Sequence, residues 1–296
     1  MTISAETVKT LRERTGAGMM ECKRALVETG GDLDAAAELM RKAGLAKADK
    51  KAARTAAEGV LAVARSADGR SAALVEVNCE TDFVARQPDF QAFAAAVAQA
   101  ALASGAEDAD ALGRLALAGG KSVDDVRREL IARIGENITV RRAARLAAPT
   151  RIGSYVHGIR IGTLVGLQGG DEPLARDLAM HVAAANPQYV KPEDVPAATV
   201  AKEHEILMAQ AAAEGKPANI VEKMVEGRLR KYLAEICLIG QPFVKDPDLA
   251  VGKLLQQAGA TVTGFLRFEV GEGIEKKQAD FAAEVMAQVE AAKGRG

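Results

Sequence analysis

From Gly59 onward the apolar residues of this chain alternate along "GVLAVARSADGRSAALVEVN", and the same outline returns in "YVHGIRIGTLVGLQ" (Tyr155–Gln168), where "GTLVGLQ" answers "AALVEVN". Alternation with a period of two marks strands, and Asp68-Gly69 between the first two runs supplies the turn chemistry of a hairpin. Each hairpin is followed by helical spacing and then by one more strand. "ELIARIGENITVRRAARL" (Glu129–Leu146) closes the first unit and "KLLQQAGATVTGFLRFEV" (Lys253–Val270) the second, each as helix, glycine, short turn and strand. A repeated unit of strand, strand, helices and strand predicts a duplicated α+β fold, with two small antiparallel sheets side by side, each under its own helices.

The remaining segments do not fit the repeat. Residues 4–43 read as three short helices, with Ser4 and Asp32 as start signals and Gly16, Gly30, Gly31 and Gly44 as stop signals. A basic stretch, "KADKKAARTAAEG" (Lys47–Gly59), follows as a solvated linker or helix. Within the first unit, helices are predicted from Asp89 to about Ser104, from Asp108 to about Ala118 and from Val123 to Ile134. Two charged helices reversing at "EGKPAN" interrupt the second unit, and Ile220, Met224, Leu229, Tyr232, Leu233 and Ile236 fall at spacings close to a coiled-coil seam. The last segment, "QADFAAEVMAQVEAA", is an amphipathic helix. The division is therefore a three-helix domain over residues 1–46, a basic linker over 47–58 and a first core subdomain over 59–148. A second subdomain covers 149–270, with a helical-hairpin insertion at about 197–236, and a C-terminal helical module covers 271–296.

Composition narrows the function classes. Of 296 residues, 39 are basic and 40 acidic, so the broad positive field of a phosphate-binding protein is missing and no direct nucleic-acid partner is expected. Cys22, Cys79 and Cys237 are far apart and form no CxxC, which predicts neither a disulfide framework nor a zinc site. The polar N-terminus and the lack of a long apolar run lead to the expectation of a cytoplasmic protein with no membrane partner.

A catalytic constellation is hard to assemble. His157, His181 and His204 are widely spaced, no GxSxG, HExxH or P-loop occurs, and no cofactor or metal is expected. Carboxylates gather only at Glu76, Glu80 and Asp82, around the end of one strand, where an acid–base or metal site could be imagined. The simpler account has Thr81 or Asp82 capping a helix and Glu76 facing water. In that same place "CETDFVAR" puts Phe83 on a connection, where side chains are usually accessible, in a chain with 3% aromatic residues. Local patterning leaves two alternatives for this phenylalanine, a packing residue or a contact for something else.

Seven longer motifs then occur in a characteristic order: "LRERTGAGMMECKRAL", "VNCETDFVAR", "RIGENITVRR", "YVHGIRIG", "AMHVAAANPQY", "EKMVEGRLRKYLAEICLIGQPFV" and "GFLRFEVGEGIEK". Together they resemble the translation elongation factor Ts family, guanine-nucleotide exchange factors of elongation factor Tu, over essentially the whole chain and in its long bacterial form. The resemblance implies a ubiquitin-associated-like N-terminal domain, two related α+β subdomains, an antiparallel hairpin insertion and a C-terminal helical module. It implies a noncatalytic factor that binds elongation factor Tu in GDP-bound and nucleotide-free states. By the same resemblance Thr81, Asp82, Phe83 and Val84 enter the GTPase domain, with Phe83 as an apolar wedge that disturbs the magnesium ion and the phosphates. Met19, Met20, Lys23, Ile134, Gly135 and His157 are the further implied contacts, and subdomain C or the hairpin is a candidate for self-association. Glu80 departs from the glutamine of many relatives.

Overall fold

The computed structural model describes residues 3–212 and 217–275. Three helices open it: α1 (Ala5–Thr15), α2 (Met19–Glu28) and α3 (Leu33–Lys51). Their boundaries follow from local chemistry. Ser4 accepts from the Thr7 amide, Gly16 closes α1 in the left-handed region, and Asp32 accepts from the amides of Asp34 and Ala35. Val8, Leu11, Cys22, Ala25, Leu26 and Ala36 form a small core of their own.

Gly44 does not stop the third helix, which continues into the basic stretch as far as Lys51. Its missing side chain serves packing instead: a Cβ there would lie 2.8 Å from Cβ of Ala132, in α7 (Val123–Ile134). The three-helix module is thereby seated on the core through α3.

The core contains two three-stranded antiparallel sheets of identical topology. β1 (Glu58–Arg65), β2 (Ser71–Cys79) and β3 (Ile138–Ala147) make the first, in the order β1-β2-β3. β4 (Arg151–His157), β5 (Ile161–Gln168) and β8 (Thr261–Glu269) make the second, in the order β4-β5-β8. Both middle strands carry a register shift, between Glu76 and Val77 and between Gly166 and Leu167. Laying "AALVEVN" on "GTLVGLQ" makes these the same step, so the repeat extends to the bulge.

The sheets meet face to face rather than side by side. Leu61, Ala72 and Leu74 of the first pack against Ile152 and Leu164 of the second, and a Cβ on Gly162 would stand 2.7 Å from a methyl of Leu74. The outer face of the first sheet, with Val60, Val75 and Val77, is covered by α5 (Pro88–Ser104) and α7. That of the second, with Val165 and Leu167, is covered by α8 (Glu172–Ala185) and α11 (Val251–Gln257). The result is four layers, helix, sheet, sheet, helix.

This arrangement overturns the expectation that Glu76 faces water. Its side chain points away from the helices, into the space the second sheet covers, and is fully buried. It accepts from Arg141 at 3.0 Å, Arg142 at 2.6 Å, Asn78 at 3.1 Å and the Gly271 amide at 2.8 Å. Burial pushes its pKa up, but these donors together hold the carboxyl below the usual range.

The smaller elements complete the fold. α4 (Asp82–Ala85) is a single turn after β2, and α6 (Ala109–Arg114) ends earlier than the sequence spacing implies, because Leu115 is extended and Ala116 bridges to Ser122. The helical hairpin is α9 (Ala197–Ala212) with α10 (Ala218–Ile236). Its seam joins Leu207 and Ala211 to Val221, Val225 and Leu229, so the phase is one residue away from the expected Ile220 and Met224, and Ile220 is exposed. The facing helix sets that phase, and the periodicity of one helix alone does not contain it. β6 (Pro242–Phe243) and β7 (Asp246–Ala250) form a short ribbon before α11. Most of the expected C-terminal helical module lies outside the described residues.

Candidate partner-binding site

The segment after β2 is held at almost every residue except Phe83. Cys79 is buried, and its Sγ donates to the Thr81 carbonyl at 3.1 Å. Burial, with the Glu136 charge adding to it, pushes that thiol up to about 12, so it stays a neutral donor. Thr81 starts α4, its hydroxyl oxygen accepting from the Val84 amide at 3.4 Å. Val84 and Ala85 are buried among the core residues beneath the first sheet. Asp82 points outward and pairs loosely with Arg86 at 3.7 Å.

Phe83 is 78% exposed. The open question about this side chain is thus answered against core packing. A turn held by Thr81 at its start and by buried Val84 and Ala85 behind presents one large apolar side chain to solvent, an unusual exposure for a residue that dominates the energetics of cores and interfaces.

The other implied contacts connect to this turn through three links. The first is α7, which ends at half-buried Ile134 and is capped by Gly135 at φ +91°. That left-handed turn brings Glu136 against Thr81, accepting from its amide at 3.0 Å and from its hydroxyl at 2.7 Å. The second link leads to the N-terminal module: a Cβ on Gly16, in the α1–α2 turn, would lie 2.8 Å from the side chain of Arg133. Just beyond that turn Met19 and Met20 are 42% and 68% exposed, and Lys23 is exposed on the same helix. The two methionines therefore do not pack in the core of the three-helix module. Val27 is exposed there as well, and its spacing from Met20 and Lys23 continues a helical face.

The third link is an open concavity of about 430 Å³ between the halves. Asp82, Arg86 and Gln91 line it from the first half, and His157, Gly158 and Arg160 line it from the β4–β5 turn of the second. His157 is exposed, and its Nδ1 is 3.1 Å from the Tyr155 hydroxyl. Glu76, Glu80, Asp82 and His157 do not converge on one place. Glu76 is sealed in its arginine cluster, and Glu80 accepts from the Asn137 amide at 2.6 Å and pairs with Arg54, while only Asp82 and His157 share the concavity. Among the described residues no group of three or more His, Cys, Asp or Glu could hold a metal ion.

His181 is placed structurally. Its Nδ1 accepts from the Val244 amide at 3.1 Å, which leaves Nε2 to donate to Gln241 at 2.9 Å. Burial lowers its pKa, partly offset by Gln241. His204 is exposed on α9. Among the described residues no helix is long and apolar enough to cross a membrane.

Sequence reasoning missed Glu136. A signal was present: an acidic residue just after a helix C-terminus meets the negative end of the helix dipole, and such a residue needs local donors.

Fold and site define a class: a two-sheet α+β protein in which Phe83 is the most exposed large apolar side chain among the described residues. Residues 80–272 match the family model described as Elongation factor TS. The chain is 63% identical over 292 residues to the Elongation factor Ts of Methylococcus capsulatus, spanning 98% of this chain and 100% of that one. It is 62% identical over 289 residues to that of Halorhodospira halophila, covering 98% and 99%, and 54% identical over 288 residues to that of Legionella pneumophila strain Paris, covering 97% and 99%. The chain belongs to the elongation factor Ts family, and so to the factors of translation elongation.

Proposed function

We propose that this chain is a noncatalytic guanine-nucleotide exchange factor that binds GDP-loaded elongation factor Tu and promotes GDP release by inserting Phe83 into the GTPase domain. The observation that carries the reading is Phe83 itself, exposed on a turn that Thr81 and the buried Val84 and Ala85 hold in place. A GTPase holds its nucleotide through a phosphate loop and a magnesium ion bridging protein and phosphates. An apolar side chain entering beside those groups displaces the residues that support the ion, and the phosphates are then held less well. Asp82 acts beside it, Thr81 and Val84 fix the turn, and Ile134 and Gly135 flank it. His157 reaches the partner from the far side of the concavity, while Met19, Met20 and Lys23 hold the same GTPase domain from α2.

Linkage sets the energetic condition. The factor must bind nucleotide-free partner more tightly than nucleotide-bound partner, and the nucleotide must weaken the factor by the same ratio. Full burial of Phe83 supplies about 2 kcal/mol of that difference, so the remaining contacts must share the load. The test is stopped-flow release of fluorescent GDP from elongation factor Tu, with wild type beside Phe83→Ala. Wild type is expected to speed release, and Phe83→Ala to lose most of the acceleration while its circular-dichroism melt stays unchanged. No acceleration by wild type would refute exchange activity, and a variant equal to wild type would refute the wedge.

A further inference from the structure

Glu136 joins two turns that the fold brings together in both halves of the molecule. In the first half the turn after β2 meets the turn after α7, and both Thr81 donors end on the Glu136 carboxylate. Glu80 answers from the opposite direction, accepting from the Asn137 amide at 2.6 Å, so each turn lends a carboxylate to the other. The end of α3 closes the assembly. Lys51 donates to the Gly135 carbonyl, and the Asn137 side chain donates to the Arg54 carbonyl at 2.7 Å.

The second half shows what the duplicated fold itself requires at this point. The strand registers set Gly169 and Gly170 where Cys79 and Glu80 stand and Thr261 where Thr139 stands. Between the left-handed glycine that ends the helix and that threonine, the second half therefore has Ala260 alone, and the first has Glu136, Asn137 and Ile138. There the turns meet by bare contact: a Cβ on Gly169 would lie 2.5 Å from the Gly259 carbonyl, and one on Gly170 would lie 3.1 Å from Cβ of Ala260. Asp171, in the place of Thr81, caps α8 directly. The second half thus closes this meeting with a shorter turn and no carboxylate, and Glu136 belongs to a turn two residues longer. It is found only in the half that carries Phe83.

We infer that Glu136 is a positioning residue for the exchange reaction: by holding the Thr81 amide and hydroxyl together, it fixes α4 and so sets the direction in which Phe83 projects. This inference rests on the exchange-factor reading. An exposed phenylalanine on a loosely held turn would lose conformational freedom on entering a partner, and a clamp formed in the free protein removes that cost beforehand. Charged acceptors suit the task because their hydrogen bonds are stronger than neutral ones.

Glu136→Gln tests it, since the amide keeps the shape but retains only one acceptor oxygen. In the full chain, amide hydrogen exchange is expected to quicken about tenfold at Thr81 and its neighbours in α4, and not in β2 or β3. With elongation factor Tu and fluorescent GDP, the maximal release rate is expected to fall about tenfold, with the half-saturating concentration little changed. In the Phe83→Ala background the same substitution is expected to slow release no further. Thr81→Val, which removes only the hydroxyl bond, is expected to shift both readouts the same way by less.

Unchanged amide exchange in both variants would overturn the clamp. An equal loss with and without Phe83 would overturn its link to the wedge. Failure of the exchange-factor reading looks different, as wild type would then leave GDP release unaccelerated while the amide measurement still decided whether Glu136 orders the turn.

Discussion

The two halves of the core share topology, strand order and the position of a bulge, yet they finish their middle strands differently. After β5 the chain turns through Gly169 and Gly170, takes Asp171 as a cap and runs straight into α8. After β2 it takes Thr81 as a cap, makes the single turn of α4, and only then starts α5 from Gln87. The sheets also face each other with opposed ends, so each end of the sandwich repeats one meeting. At one end the Leu61 amide donates to the Ile159 carbonyl, and at the other the Ile152 amide donates to the Gly69 carbonyl. One end carries Phe83 and the concavity. The other carries an exposed Arg65–Glu172 pair. The duplicated scaffold is thus common to both halves, and what distinguishes the two equivalent ends is the extra segment 82–87, with the single turn of α4 that presents Phe83.

The bulge separates the halves in the same way, and breaking it is expected to have the largest effect on stability. Gly166 occupies in the second half the place of Glu76 in the first, and among the described residues the buried carboxylate with its arginine pair stands in the first alone. Glu76→Ala leaves the Gly271 amide without its acceptor and takes the buried carboxylate from Arg141 and Arg142, which keep only their bonds to Glu269 and Glu272. The expected loss is about 3 kcal/mol in chemical denaturation, at the low end for a broken buried cluster because both arginines keep some access to water. Acid should act on the halves in order. His181, in the second half, has a folded pKa below its ordinary 6.5, so its contribution is present above that value and is lost as pH falls below it. Glu76, held below its ordinary 4.5, contributes above the usual carboxylate range, and this is lost only as pH falls through its lowered folded value. Glu76→Gln should flatten the more acidic arm of a pH–stability curve and leave the arm near 6 in place.

Next in size is the site itself. Phe83→Ala is expected to slow stimulated GDP release about thirtyfold, the equivalent of losing ~2 kcal/mol of apolar burial, with no change in the melt. Gly135→Ala should follow. A side chain at φ +91° costs about 1–2 kcal/mol, and its Cβ would also come within 3.4 Å of the Lys51 ammonium. Unlike Phe83→Ala, this substitution is expected to lower the melting temperature and the exchange activity together, because the turn it strains is the one that carries Glu136.

Much of this was legible in the sequence, for identifiable reasons. Alternation and turn residues reported both hairpins, because they register one strand against its neighbour. The placement of Phe83 on a connection followed from the change of period on either side of it. What escaped depended on a second surface. Glu76 faces away from the helices that the sequence announces, and one strand does not record that another sheet lies on its far side. The hairpin seam departs in part for the same reason: Leu229 stands on it as expected, while Leu207 and Ala211 choose Val221 and Val225 over Ile220. Gly44 reads as a stop, and only the approach of Ala132 reveals it as a contact.

The smallest effect is the one that sharpens the comparison between the two ends. Arg65 and Glu172 meet at 3.2 Å with both side chains well exposed, so solvent screens the pair and its loss is expected to cost under about 0.5 kcal/mol. Arg65→Ala should therefore leave both the melt and GDP release within error of wild type. The result matters because Arg65 ends β1 beside Gly69 and Glu172, at the structural counterpart of the end where Phe83 projects. A clear loss of exchange there would mean that the partner embraces both ends of the sandwich, and the assignment of the working surface to the α4 end alone would fail.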